Sequence, residues 1–256
     1  MNGIGINLYT LHKFIGTEEG LLETALRLKG LGYTYLQYSG AAFDAERIKR
    51  VSDASGMPFV LTHVPLDRII EDTDKLMEEH ALFGCKNIGL GSLATSVLAD
   101  EYAAKTKIEE LNLAGERMAK AGFAFFYHNH HKEFMRHGGK TIYDYMIENA
   151  PYINFTFDTY WAQFGGADVV ELLRKLEGRV ECVHLKDYKV VFEEGDAGCK
   201  PVFAPVGEGN LNFPEIVKAA RSSGAKYFFV EQDNACILPD PWGEVTKSVN
   251  YIKEKL

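Results

Sequence analysis

Four segments of this 256-residue chain end an apolar run on groups that can hold a metal ion or move a proton. The densest is Tyr127-His128-Asn129-His130-His131-Lys132-Glu133-Phe134, where three histidines and a carboxylate follow the apolar run from Phe123 to Phe126. The others are Phe155-Thr156-Phe157-Asp158, Val183-His184-Leu185-Lys186-Asp187 and Phe228-Phe229-Val230-Glu231-Gln232-Asp233. A buried strand that ends in imidazoles or carboxylates turns its polar groups out of a core into a cleft, and a metal site on a parallel barrel needs one ligand per strand end. Asp158, His184 and Glu231 occupy equivalent places on consecutive segments. One imidazole with several carboxylates is a hard, oxygen-rich set, suited to Mn²⁺, Mg²⁺, Co²⁺ or Zn²⁺ with positions left open for substrate oxygens. Of the eight histidines, His12, His63, His128, His130, His131 and His184 lie at or just beyond a predicted strand end, and only His80 and His137 lie elsewhere.

These groups need a scaffold, and the sequence repeats one. Gly32, Gly56, Gly84, Gly122, Gly178 and Gly224 each fall between an amphipathic stretch and an apolar run, where a left-handed glycine closes the last turn of a helix. Helical periodicity precedes them, as with Ile108, Leu111, Gly115 and Met118, or Val169, Leu172, Leu173 and Leu176. Strands are expected over residues 4–9, 33–37, 59–63, 87–90, 123–127, 153–158, 180–185 and 227–231. Eight alternating strand and helix units predict an α/β fold, a single-domain (β/α)₈ TIM barrel over residues 1–256. A doubly wound open sheet would bring a glycine-rich phosphate loop, and none stands in that context. Residues 188–212 read as a long non-periodic loop at the functional face, containing Glu193-Glu194-Gly195-Asp196 and Pro205-Val206-Gly207-Glu208-Gly209-Asn210.

Bulk properties narrow the partners. Hydrophobic content of 46% and charged content of 25% are those of a globular chain, and a net charge of −8 argues against a polyanionic partner. No run approaches the roughly 18 apolar residues of a membrane span, and the start goes straight into a strand without a leader pattern. Cys85, Cys182, Cys199 and Cys236 show no CxxC spacing and read as reduced thiols, so a cytoplasmic location is expected.

The order of a strand-five carboxylate, Asp158, His184 and Glu231 resembles the xylose isomerase-like superfamily of sugar epimerases and isomerases. The likeness is carried by Phe157-Asp158-Thr159-Tyr160-Trp161, His184-Leu185-Lys186-Asp187, Gly207-Glu208-Gly209 and Glu231-Gln232-Asp233, and it runs the length of the chain. It implies one divalent metal, Mn²⁺ first, and a small-molecule sugar as substrate, with no nucleic acid or membrane partner. Proton abstraction beside a carbonyl, through an enediolate, is the implied first step. A homo-oligomer is compatible with this reading. Many relatives end the fifth strand in Glu-Asn, where this chain has His128-Asn129. Either His128 takes the ligand position or Glu133 reaches back from the loop to supply the carboxylate; the second is favoured, which gives a metal set of Glu133, Asp158, His184 and Glu231. Catalysis is expected of Glu231, His130 and His128, with Glu231 and His130 as bases on opposite faces of the sugar. His63, Lys186, Gln37, Trp161 and Glu208 are expected at the substrate, Phe164 beside Trp161 as an apolar wall, and Asp187 and Asp233 as residues that orient ligands. A histidine-rich fifth strand also resembles the inosose dehydratases, which makes a lyase of a keto-sugar or inosose the alternative. The abasic-site endonuclease branch is disfavoured, because it needs histidines where Trp161 and Gly91-Ser92-Leu93 stand.

Overall fold

A computed structural model describes residues 3–194 and 198–256, so Gly195 and Asp196 of the segment quoted above lie outside the described residues. The barrel strands are β1 (Gly5–Asn7), β2 (Tyr35–Tyr38), β3 (Phe59–His63), β4 (Asn87–Leu90), β5 (Ala124–His128), β6 (Ile153–Asp158), β7 (Cys182–Leu185) and β8 (Tyr227–Val230). They close in chain order into one parallel barrel, β1 pairing with both β2 and β8. Helices cover its outside, and the expected (β/α)₈ barrel is what forms.

Side chains on a strand alternate between two faces, so the inward line of each strand steps by two. Tyr35, Leu61, Phe126, Cys182 and Phe229 share one buried cluster inside the barrel. Two residues further along the same strands stand Gln37, His63, His128, His184 and Glu231. An apolar plug thus lies directly beneath a polar layer. Gly5 belongs to the plug layer on β1, where an added Cβ would collide with the Tyr35 ring. The rings of Tyr35 and Phe229 meet edge to face at 5.4 Å, filling the space that glycine leaves. Register aligns the polar layer: Asp158 pairs with His184, and His184 with Phe229.

The six expected stop glycines all have positive φ, from 64° at Gly56 to 106° at Gly224. At Gly32 the amide donates to the carbonyls of Leu28 and Lys29, which ends the helix Glu18–Leu31 and releases the chain toward β2. One expectation fails. The long segment after β7 is not a plain loop: Asp187–Glu193 and Gly198–Ala204 pair antiparallel as a hairpin rising beside the barrel mouth. Asp187 holds its base. Its carboxylate accepts the amides of Gly207 and Gly209 at 3.0 Å each and those of Tyr188 and Leu211 at 2.9 and 3.2 Å. Asp187 therefore anchors the return of the chain and does not orient a ligand, contrary to expectation.

Candidate active site

His128, Asp158, His184 and Glu231 each offer one atom to a common centre, and these atoms all lie within 4.8 Å of one another. His128 Nε2 is 3.4 Å from Asp158 Oδ2 and 4.0 Å from Glu231 Oε2. His184 Nδ1 is 2.6 Å from Glu231 Oε2 and 3.9 Å from Asp158 Oδ2. All four residues are buried.

In each of them the protein already holds the other polar atom. The Asp158 side chain caps the helix Thr159–Phe164, its Oδ1 accepting the Trp161 amide at 2.8 Å. Glu231 Oε1 accepts from Asn7 Nδ2 at 2.8 Å. A carbonyl oxygen can only accept, so the contact of His128 Nδ1 with Gly91 O at 2.9 Å places that proton on Nδ1. By the same logic His184 Nε2 donates to Gln37 Oε1 at 2.6 Å. Four lone pairs are left facing inward. His184 Nδ1 has no hydrogen-bond donor and faces Glu231 Oε2 at 2.6 Å, while Lys186 Nζ reaches that oxygen at 3.3 Å; a cation at the centre would satisfy both acceptors. Bonds of about 2.0–2.2 Å to one ion would set neighbouring ligand atoms roughly 3–3.5 Å apart, a spacing that the separations of 2.6–4.0 Å bracket. Two imidazoles and two carboxylates fit a divalent ion.

Here the sequence expectation for the fourth ligand is corrected. Glu133 is buried but turned away from the cluster: Oε1 accepts from Tyr127 Oη at 2.7 Å and Ser92 Oγ at 2.8 Å, and Oε2 from the His130 amide at 2.8 Å. With its acceptors occupied, it leaves His128 as the β5 member of the cluster. Gln37 is also reassigned. Buried between two imidazoles, it accepts from His184 and donates to His63 Nε2 at 2.9 Å, which fixes both rings, and it does not line the cavity over the cluster. Glu208 is exposed and faces Lys247 at 3.4 Å, away from the mouth. Phe164 is exposed as well, while Trp161 backs the site: its ring lies 5.2 Å from the His130 ring and 5.2 Å from Lys186 Nζ. His131 is exposed against Trp161 and Phe164, and His12 bonds the Tyr9 carbonyl at 2.8 Å in a 3₁₀ turn.

A cavity of about 230 Å³ opens over the cluster, walled by His63, His128 and His130 on one side and by Lys186, Glu231 and Asp233 on the other. Its size suits one sugar ring. A larger cavity of about 410 Å³ lies outside the barrel near Gln163, Tyr188 and Ile216, and no imidazole reaches it. The two walls of the smaller cavity differ electrically. Burial drives His63 and His128 well below the ordinary imidazole value and His130 down to about 2, so this wall is neutral. Across from it, Lys186 Nζ lies 3.0 Å from Asp233, 3.2 Å from Asp158 and 3.3 Å from Glu231. Burial opposes its charge, but these carboxylates outweigh that and hold the ammonium protonated. Burial likewise opposes charge on Glu231, where Lys186 prevails and keeps the carboxyl well below the usual range. Asp158 is raised by burial, and Asp233 is raised by burial to about 6.

Asn7, Tyr9 and Ser39 also serve or line this site and were not singled out in the sequence. Asn7 could have been found by position, since it sits two residues beyond Gly5 on the inward line of β1.

Comparison with known proteins agrees with this architecture. The chain is 28% identical over 216 residues to the inosose dehydratase of Clostridium perfringens, an alignment covering 72% of this chain and 71% of the relative. A crystal structure of a sugar phosphate isomerase/epimerase from Parabacteroides distasonis superposes with a TM-score of 0.80 at 26% identity, covering 98% of this chain and 93% of that one. A xylose isomerase-like TIM-barrel protein from Mycobacterium smegmatis, solved in complex with magnesium, shares the fold alone, with a TM-score of 0.73 at 13% identity over 98% of this chain and 95% of that one. The family model described as xylose isomerase-like TIM barrel matches residues 26–255, and the chain belongs to that family.

Proposed function

We propose that this protein is a divalent-metal-dependent dehydratase of a cyclic or open keto-polyol, with His128, Asp158, His184 and Glu231 holding the ion. The observation that carries this reading is the inequality of the two walls. An epimerase that inverts a carbon centre needs a proton acceptor on each face of the sugar. Here the one carboxylate that lines the cavity outside the cluster, Asp233, lies beside Lys186 at 3.0 Å, and no carboxylate among the described residues lines the opposite wall. A single proton-carrying wall suits elimination.

When bound, the ion would act as a Lewis acid that polarises a substrate carbonyl. Asp233 takes the proton from the neighbouring carbon, its burial placing it close to the working pH. Asp233 then passes that proton to the departing hydroxyl, which the Lys186 ammonium holds by a hydrogen bond, so that a C–H and a C–O bond break, a C=C bond forms and water leaves. The His130 Nδ1, buried without a partner, accepts a hydrogen bond from a substrate hydroxyl on the far side. Glu231, expected as a base, is held too firmly ionised for that role and serves better as a ligand. The likeness to an inosose dehydratase supports the same choice.

The test is incubation of the metal-loaded protein in D₂O with an inosose and, separately, a panel of ketoses and 3-keto-sugars. Loss of water with formation of an unsaturated ketone is expected, and Asp233→Asn should abolish it while retaining metal. An inverted product carrying solvent deuterium, with no water lost, would establish the epimerase instead.

A further inference from the structure

The buried carboxylate of Glu133 takes no part in the cluster, yet it joins three separate pieces of the barrel mouth. Tyr127 brings its hydroxyl from β5, Ser92 its hydroxyl from the segment after β4, and His130 its backbone amide from the segment after β5. The same knot continues outward. Tyr127 Oη accepts the Leu93 amide at 3.0 Å, and Lys132 Nζ donates to the Leu93 carbonyl at 2.6 Å. Next to it in sequence, Gly91 supplies the carbonyl that fixes the His128 ring. His130 itself has no such support from its ring. Its Nδ1 is unpartnered, its ring only leans on His128 and Trp161, and the side chain is aimed into the cavity.

An imidazole without ring hydrogen bonds is placed by its backbone, and the strongest tie on that backbone is the charge-assisted bond to Glu133. We infer that Glu133 is a positioning residue that sets His130 against the substrate through the His130 amide, and that it is not a metal ligand. A buried carboxylate surrendered to three donors, in a site where a carboxylate could have bound the ion, is accounted for by that task. The inference rests on the proposed role of His130 at the substrate, but the geometry of the tie does not.

Glu133→Gln keeps the shape and one carbonyl acceptor, so it is the variant of choice, and Tyr127→Phe removes one donor from the other end of the knot. Metal content of Glu133→Gln should equal wild type. Its kcat/KM on the substrate found above should fall about ten- to hundredfold, the usual cost of losing a group that orients a functional side chain. The double variant Glu133→Gln/His130→Ala should be no worse than His130→Ala alone, because both changes remove one function; independent sites would add. Tyr127→Phe should show the same pattern more weakly. Loss of metal from Glu133→Gln, or additive losses in the double variant, would overturn the inference. An imidazole NMR signal for His130, assigned by its disappearance in His130→Ala, gives an arm that needs no substrate. It should move in Glu133→Gln, and an unmoved signal would equally overturn the proposal. A moved signal beside a protein inert toward keto-polyols would sustain the positioning role and reject the dehydratase reading alone.

Discussion

His80 is buried as fully as His128 and His184 of the barrel mouth, and neighbouring residues of one strand serve both regions. Thr62 on β3 faces outward and donates to His80 Nε2 at 2.8 Å. His63, next along β3, faces the cavity. His80 Nδ1 donates to the Leu76 carbonyl at 2.7 Å within the helix Thr73–Leu82, and its ring stacks on Phe43 at 4.9 Å. Both its nitrogens are satisfied. In the mouth, His130 Nδ1 and His184 Nδ1 are buried without a hydrogen-bond donor. The lesson is energetic. A buried polar atom without a partner costs about 1–3 kcal/mol, and a fold keeps several together only where something else completes them. Burial of a histidine says little about function; the unfilled bonding capacity around it says much.

The largest expected effect comes from emptying the unfilled side of this comparison. Asp158→Ala, His184→Ala and His128→Ala should each lose the divalent ion and all turnover, as measured by metal analysis after dialysis against a weak chelator. Full metal in His128→Ala would return the fourth position to another residue and dissolve the pattern of one held and one free atom per ligand. His80→Ala should behave in the opposite manner, retaining metal and activity while losing about 2–4 kcal/mol of stability from the cavity and the unsatisfied Thr62 and Leu76 groups. Urea denaturation measures it. A His80→Ala protein with native stability but impaired turnover would mean that the two regions are not separate after all.

How much of this contrast the sequence carries depends on the range of the interactions. The barrel was readable because its signals are local: a period of two along strands, helical spacing between them, and glycine at each helix stop. Asp158, His184 and Glu231 were readable for the same reason, as the last inward positions of their strands. The β1 boundary was overestimated because Leu8–Phe14 winds into a 3₁₀ turn directly after Asn7, whose side chain accepts the Tyr9 amide. The hairpin after β7 was missed because Pro201, which pairs with Val190, reads as a strand breaker and the two strands show no clean alternation of apolar and polar residues. Glu133 was misassigned for a deeper reason. Its carboxylate is claimed by Ser92, 41 residues away, and by a tyrosine hydroxyl that the sequence presents merely as part of an apolar run. The fates of Gln37 and Glu208 likewise rest on partners at long range, His184 and Lys247. Position along a strand predicts which way a side chain points; what it meets there is decided by other strands.

The smallest effect per step is a dependence on pH, and it tests whether His80 is the satisfied member of the pair. Burial lowers its pKa from an ordinary 6.5 to about 4, with the Leu76 carbonyl opposing the shift. In the unfolded chain His80 takes up a proton as the pH falls below its ordinary value, while the folded protein resists until about pH 4. The stability contributed by the neutral ring is therefore full above the unfolded value and is lost as pH falls through the window toward 4. The slope is at most about 1.4 kcal/mol per pH unit, and the total is roughly 3 kcal/mol. The mouth histidines are depressed too, so the wild-type slope sums several groups. The difference between wild type and His80→Ala, both metal-free, isolates one of them. Between pH 7 and pH 5 the stability advantage of wild type should shrink by about 2 kcal/mol. An advantage that stays constant would show that His80 gains its partners without excluding its proton, and the distinction between a satisfied and an unfilled imidazole would then rest on geometry without its electrostatic counterpart.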